Sequence, residues 1–208
     1  MGRIPVPLKL AAFARPEAPA FLLLFTLDNL ARAMLVTVVP LQAYALLADA
    51  QKVSVLYFIA GTIGLCGSLT VPFLVTRLYR RGTLTFGFGC WLLAALLLGQ
   101  EQLWYLVPGL ALQMFAGASV TICLNLYVLD NVPKDNFTRF EPTRMFLAGI
   151  GWISGPVVGV YLSTRVVSWA PYLLSAAFMG TMYLYFRYLR VPRARVNPSA
   201  SRPQANPV

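Results

Sequence analysis

The stretch "FLAGIGWISGPVVGVYLSTR", residues 146–165, decides how this chain folds. Its twenty residues carry no charge before Arg165 and hold glycines at 149, 151, 155 and 159. About 20 mainly apolar residues in a helix cross a bilayer core about 30 Å thick. Glycine and proline are tolerated in such a helix because neighbouring groups re-satisfy the backbone they disturb. Small residues also let a second helix approach closely.

The stretch has a counterpart upstream. Sliding the chain against itself by 88 residues lays 146–165 over "FIAGTIGLCGSLTVPFLVTR", residues 58–77, with seven of twenty positions identical. The shared residues are Phe58/Phe146, Ala60/Ala148, Gly61/Gly149, Gly67/Gly155, Leu74/Leu162, Thr76/Thr164 and Arg77/Arg165. Six apolar blocks are expected as helices, at 18–47, 53–76, 83–99, 104–130, 145–163 and 169–188. The same offset lays the first on the fourth and the third on the sixth. Three is odd, so matching triplets would cross the membrane in opposite senses, an architecture of secondary transporters with a site near the midplane. The alternative is two unrelated small-residue helices that both need close packing.

Composition agrees with a membrane-embedded chain. Of 208 residues, 58% are hydrophobic and 12% charged, against about 25% charged in soluble domains. The net charge of +10 follows topology, not nucleic acid. Fourteen basic residues fall on the side of the termini, among them Arg77, Arg80, Arg81 and Arg144, and only Lys52 and Arg165 on the other. That bias predicts cytoplasmic N- and C-termini and a multi-pass protein of the inner (plasma) membrane. Trp104 and Trp169 fall at the opposite boundary, where amphipathic rings prefer to sit. Residues 1–17 are expected as a cytoplasmic N-terminus, 18–188 as the six-helix domain and 189–208 as a disordered basic tail. The chain has no histidine, which excludes His-based zinc sites and Ser-His-Asp hydrolases. Cys66, Cys90 and Cys123 each lie inside an apolar block and form no paired metal motif. No enzyme, cofactor or metal is expected.

Several motifs resemble the major facilitator superfamily over about residues 15–192. "GWISGPVVGV" resembles that family's fifth-helix motif, with Gly151, Gly155, Pro156 and Gly159 in its places. "PFLVTRLYRRG", residues 72–82, is similar to its loop between helices two and three. Arg77, Arg80 and Arg81 fit, while Pro72, Thr76 and Tyr79 replace the motif's Gly, Asp and inner Gly. In the fourth helix the family's frequent Arg is Gln113, four residues before Gly117. The resemblance implies an all-α, major-facilitator-like fold of two inverted three-helix repeats. It also implies a transporter of an unknown small molecule. Family members usually have twelve helices, so six imply a second copy, a separate partner half, or a truncated or scaffold protein without transport.

The polar residues of the apolar blocks are the candidate site. In "FLLLFTLDNLARAMLV", residues 21–36, Asp28 lies ten residues into the first helix. A charge near mid-bilayer costs at least ~2.5–3.5 kcal/mol. Arg32, at i+4, shares its face and lowers that cost by pairing. With Asn29, Gln113 and Asn125 these residues are read as a substrate cavity, Asp28 being a candidate proton carrier. The alternative is an internal ion pair that locks helices together, or an Arg32 that reaches the interface. At the cytoplasmic surface, Asp130 or Glu141 is expected to pair with an arginine of the Arg77–Arg81 cluster. Arg144 opens helix five beside them.

Overall fold

The computed structural model describes residues 18–132 and 137–189, and the described residues form six helices with no strand. They are α1 (Ala18–Leu47), α2 (Ala50–Leu69), α3 (Val71–Leu98), α4 (Leu103–Asn131), α5 (Phe137–Arg165) and α6 (Ala170–Tyr188). The N-terminal segment 1–17 and the basic tail from 190 lie outside the described residues. Five of the helices are long and apolar enough to cross a membrane. α6 is diluted by Tyr172, Tyr183, Tyr185, Tyr188 and Arg187 and is not among those five.

Hydroxyl groups inside the helices return their protons to their own backbone. Thr26 donates to Leu22 O, Thr62 to Phe58 O, Ser154 to Ile150 O and Thr181 to Ala177 O, each at 2.8 Å. In a solvent without water, that bond removes the cost of an orphan hydroxyl. Asp49 caps α2 by accepting from Gln51 N at 2.9 Å. The turns on either side of the α2–α3 hairpin place Ala48 (φ 51°) and Glu101 (φ 54°) in left-handed backbone.

At the junction of α2 and α3 the helix break and the change of direction fall at different residues. α2 stops at Leu69 because Pro72 has no N–H to continue the ladder. Yet Thr70 keeps helical angles (φ −80°, ψ −13°) and accepts from Leu74 N at 2.9 Å. The sharp change of direction comes later, inside α3, at Tyr79 (φ 59°, ψ 163°). The second span therefore continues through Leu78, and the third starts at Arg80. α5 in turn begins at Phe137, ahead of its apolar block, and takes Pro142 and Pro156 within it.

The packing is close to its own image when α1, α2 and α3 are exchanged for α4, α5 and α6. The largest contacts are α3 on α4, α1 on α5, α1 on α6 and α2 on α4. Exchange turns α3·α4 into α6·α1 and α1·α5 into α4·α2. α1 contacts every helix but α3 extensively enough to hold the centre, with Phe21, Leu24, Ala31, Ala33 and Leu35 buried. Glycines make the two equivalent crossings. A Cβ at Gly155 would sit 2.5 Å from Ala33 Cβ, and one at Gly64 would sit 2.7 Å from Met114 Cβ. A buried polar chain joins three helices: Trp91 Nε1 donates to Ser175 Oγ at 3.3 Å, and Ser175 donates to Ala31 O at 2.6 Å. Gln42 adds a second tie, donating to Leu98 O at 2.8 Å while accepting from Tyr172.

Candidate functional site

Asp28 and Arg32 meet one turn apart on α1. Arg32 Nε and Nη2 each reach Asp28 Oδ1 at 3.1 Å, and Nη2 lies 3.0 Å from Oδ2. The same Nη2 crosses to α4, donating to Gly117 O and to the Thr121 hydroxyl. The guanidinium lies flat on α4 because residue 117 has no side chain. A Cβ there would be 3.2 Å from Arg32 Cζ and Nη1. Asp28 is 3% exposed, whereas the Arg32 side chain is 26% exposed. The pair thus turns its cation outward and its anion inward.

Two hollows open on either side of Arg32 and Trp152, which line both. The larger, about 420 Å³, lies between α1, α4 and α5 and is bounded by Phe25, Asn29, Thr121, Arg144 and Met145 among others. The smaller, about 220 Å³, is walled by Leu35, Val39, Tyr57, Trp91 and Leu110 with Gln113. Among the described residues Gln113 Oε1 is buried without a hydrogen-bond partner, and Arg80 Nε is in the same condition elsewhere. Asn29 faces α5, where its Oδ1 accepts from Trp152 Nε1 at 3.1 Å, and its amide donates to Phe25 O at 2.8 Å. Asn125 accepts from Arg144 Nη1 at 2.9 Å. Arg144 also pairs with Glu141 and stacks its guanidinium 4.7 Å from the Phe25 ring centre.

The second candidate group splits in two. Arg80 pairs with Asp130 and donates to Leu126 O at 3.1 Å, tying α3 to the end of α4. Glu141 turns to Arg144, its neighbour at i+3, away from the Arg77–Arg81 cluster. Arg77 lies over Phe73 at 5.3 Å on its own helix, and Arg81 is half-buried beside Tyr127 and Tyr183. Gly151, Gly155 and Gly159 form a buried stripe on α5 against Leu30, Ala33 and Met34 of α1, with Pro156 half-buried beside it. This stripe brings α5, and with it Trp152 and Arg144, to the polar face of α1.

Thr121, Trp152, Tyr57 and Phe25 join the site although the polar pattern alone did not single them out. Thr121 was within reach of sequence reasoning: Gln113, Gly117, Thr121 and Asn125 follow at intervals of four, one face of a helix. Trp152 and Tyr57 carry no such signal, since aromatic residues in apolar helices are ordinary. Among the described residues no cluster of His, Cys, Asp or Glu could hold a metal.

A helical bundle with several membrane-crossing lengths and a polar seam between the first helices of two like triplets is a transporter-type membrane protein. The chain belongs to the Major Facilitator Superfamily, whose sequence model matches residues 21–208. No curated protein matches the chain.

Proposed function

We propose that the chain forms one half of a secondary transporter for a small molecule. It would act with a second copy of itself or with a separate partner half. The observation that carries this reading is the open polar face at Arg32. A guanidinium 26% exposed in the middle part of a membrane-length helix is expensive against hydrocarbon, by ~2.5 kcal/mol at least. Polar groups at that depth are found facing protein or a water-filled cavity. Something other than lipid therefore covers the face, and α2 and α5, the least buried of the candidate spans, flank it with apolar surface. Phe58, Ile63 and Leu65 on α2 and Phe146, Ile150 and Ile153 on α5 are exposed. The distribution of basic residues supports cytoplasmic termini in an inner membrane.

Cross-linking in native membranes, followed by mass identification of the product, tests the proposal. A cysteine placed at Phe146 or Phe58 should give a product with a second copy or another six-helix chain. A chain that stays strictly monomeric, both there and in mild detergent, refutes it.

A further inference from the structure

We infer that the larger hollow between α1, α4 and α5 takes an anionic group, so that the substrate is an organic anion: a carboxylate, phosphate or sulfonate on an apolar body. This rests on the transport reading for the word substrate, but the preference itself is read from the cavity. Two guanidiniums line the hollow, Arg32 and Arg144, with side chains 26% and 23% exposed. Their carboxylates do not offer themselves to a ligand. Asp28 also lines the hollow but is buried with both oxygens against Arg32, and Glu141 is outside the lining, so the lining side chains carry two cations against one anion.

The remaining hydrogen-bond capacity is weighted towards donors. Among the described residues Arg32 Nη1 and Arg144 Nε have no partner, while the other nitrogens of both groups are engaged. Thr121 accepts from Arg32, which leaves its own proton to give. Asn29 gives one proton to Phe25 O and accepts one from Trp152, which leaves it one donor and one acceptor site. The hollow therefore presents donors and positive charge, and a ligand that satisfies it brings acceptors and negative charge. Guanidinium groups bind carboxylate and phosphate oxygens with matched geometry, more strongly in a site away from bulk water. Phe25, Met145 and Trp152 supply apolar wall for the body, and the smaller hollow beyond Arg32 extends that wall with Leu35, Val39 and Leu110.

Trp152 lines both hollows and reports on them. In neutral detergent, with Trp104 and Trp169 changed to Phe, its emission is taken as the difference from the same protein carrying Trp152→Phe. With each ion normalised to its quenching of free N-acetyltryptophanamide, iodide should quench it on the order of tenfold more than caesium, since a lined cleft concentrates counter-ions. Arg144→Gln should lose most of that difference while quenching by neutral acrylamide stays level, and Arg144→Lys should keep it. Equal quenching by the two ions, no quenching by acrylamide, or an iodide preference untouched in Arg144→Gln overturns the inference. The last outcome would assign the preference to the overall charge of +10. On the chain with Arg144 intact, benzoate should protect Trp152 from acrylamide and benzylammonium should not; the reverse order also overturns it. These readings need no partner, so a chain that fails to cross-link can still pass them, and one that cross-links can still fail.

Discussion

Replacing Gly159 by alanine should separate α1 from α5 and destabilise the bundle. The new Cβ would lie 2.3 Å from Met34 O, 3.1 Å from Val38 Cγ2 and 3.2 Å from Met34 C. Carbon atoms in contact rest at about 3.5–4.0 Å. Met34 O is helix backbone and cannot swing aside, so the helices must part by about 1 Å at this level. A gap of that size forfeits about a quarter to a half of each contact along the crossing, and α1 on α5 is among the largest interfaces of the protein. Overfilled sites of this kind cost about 1–3 kcal/mol. Against this, alanine is the better helix former by about 1 kcal/mol. The net loss should therefore be about 0–2 kcal/mol, or up to about 8 °C in Tm.

The measurement is thermal unfolding in mild detergent, followed by a thiol-reactive dye. Cys123 is fully buried and becomes available on unfolding, and the exposed Cys66 is removed as Cys66→Ser to lower the background. Gly180→Ala is the internal reference, because a Cβ there meets nothing within 4 Å. It should gain stability from helix propensity alone. If Gly159→Ala unfolds at or above the temperature of Gly180→Ala, the close crossing of α1 and α5 is wrong, and with it the placement of Trp152 and Arg144 beside Arg32.

Two further outcomes are expected. Asp28→Asn should cost about 3–5 kcal/mol, because it leaves the buried end of Arg32 without its counter-charge; Arg32→Met in addition should recover part of that loss, and strict additivity of the two in the same unfolding assay would count against the pair. Tyr79→Gly should raise the unfolding temperature. At φ 59° and ψ 163° Tyr79 occupies backbone that only glycine adopts freely, a strain of about 1–3 kcal/mol, reduced by the greater entropy glycine loses on folding. A lower unfolding temperature would show that Tyr79 is held by contacts worth more than its strain.

The fold was legible because lipid makes the sequence rule simple. Long apolar blocks must become helices, and their ends are where charges can reach water. The finer geometry was harder to read. The blocks 53–76 and 83–99 leave the turn between them, where Tyr79 lies, but no composition signal names the one residue that carries it or the earlier break in hydrogen bonding before Pro72. The Asp28–Arg32 pair was readable from its i, i+4 spacing, because partners on one helix depend only on local geometry. Its bonds to Gly117 and Thr121 depend on the register of α4 against α1, and nothing in either helix alone sets that register. The sequence pattern leaves open which of Asp130 and Glu141 reaches the arginines of α3: Asp130 pairs with Arg80 across helices, and Glu141 pairs with Arg144 at i+3.

These contacts also bear on where motion can occur in the proposed transporter. Arg32 is bonded to a carboxylate on α1 and to a carbonyl and a hydroxyl on α4. Ser175 and Gln42 fasten α6 and α3 to α1, and Arg80 fastens α3 to the end of α4. Sliding α1 along α4 would break the bonds of Arg32 to Gly117 O and Thr121, at about 1–3 kcal/mol for each polar group left buried and unpaired. The six helices are thus better suited to move as one body than to open within themselves. Alternating access would then require relative motion at the open face, against whatever covers α2 and α5. In that arrangement Asp28 acts through Arg32. It holds the guanidinium at the surface of the hollow, bonded on the side of α4 and free on the other, where a bound anion would complete its hydrogen bonds.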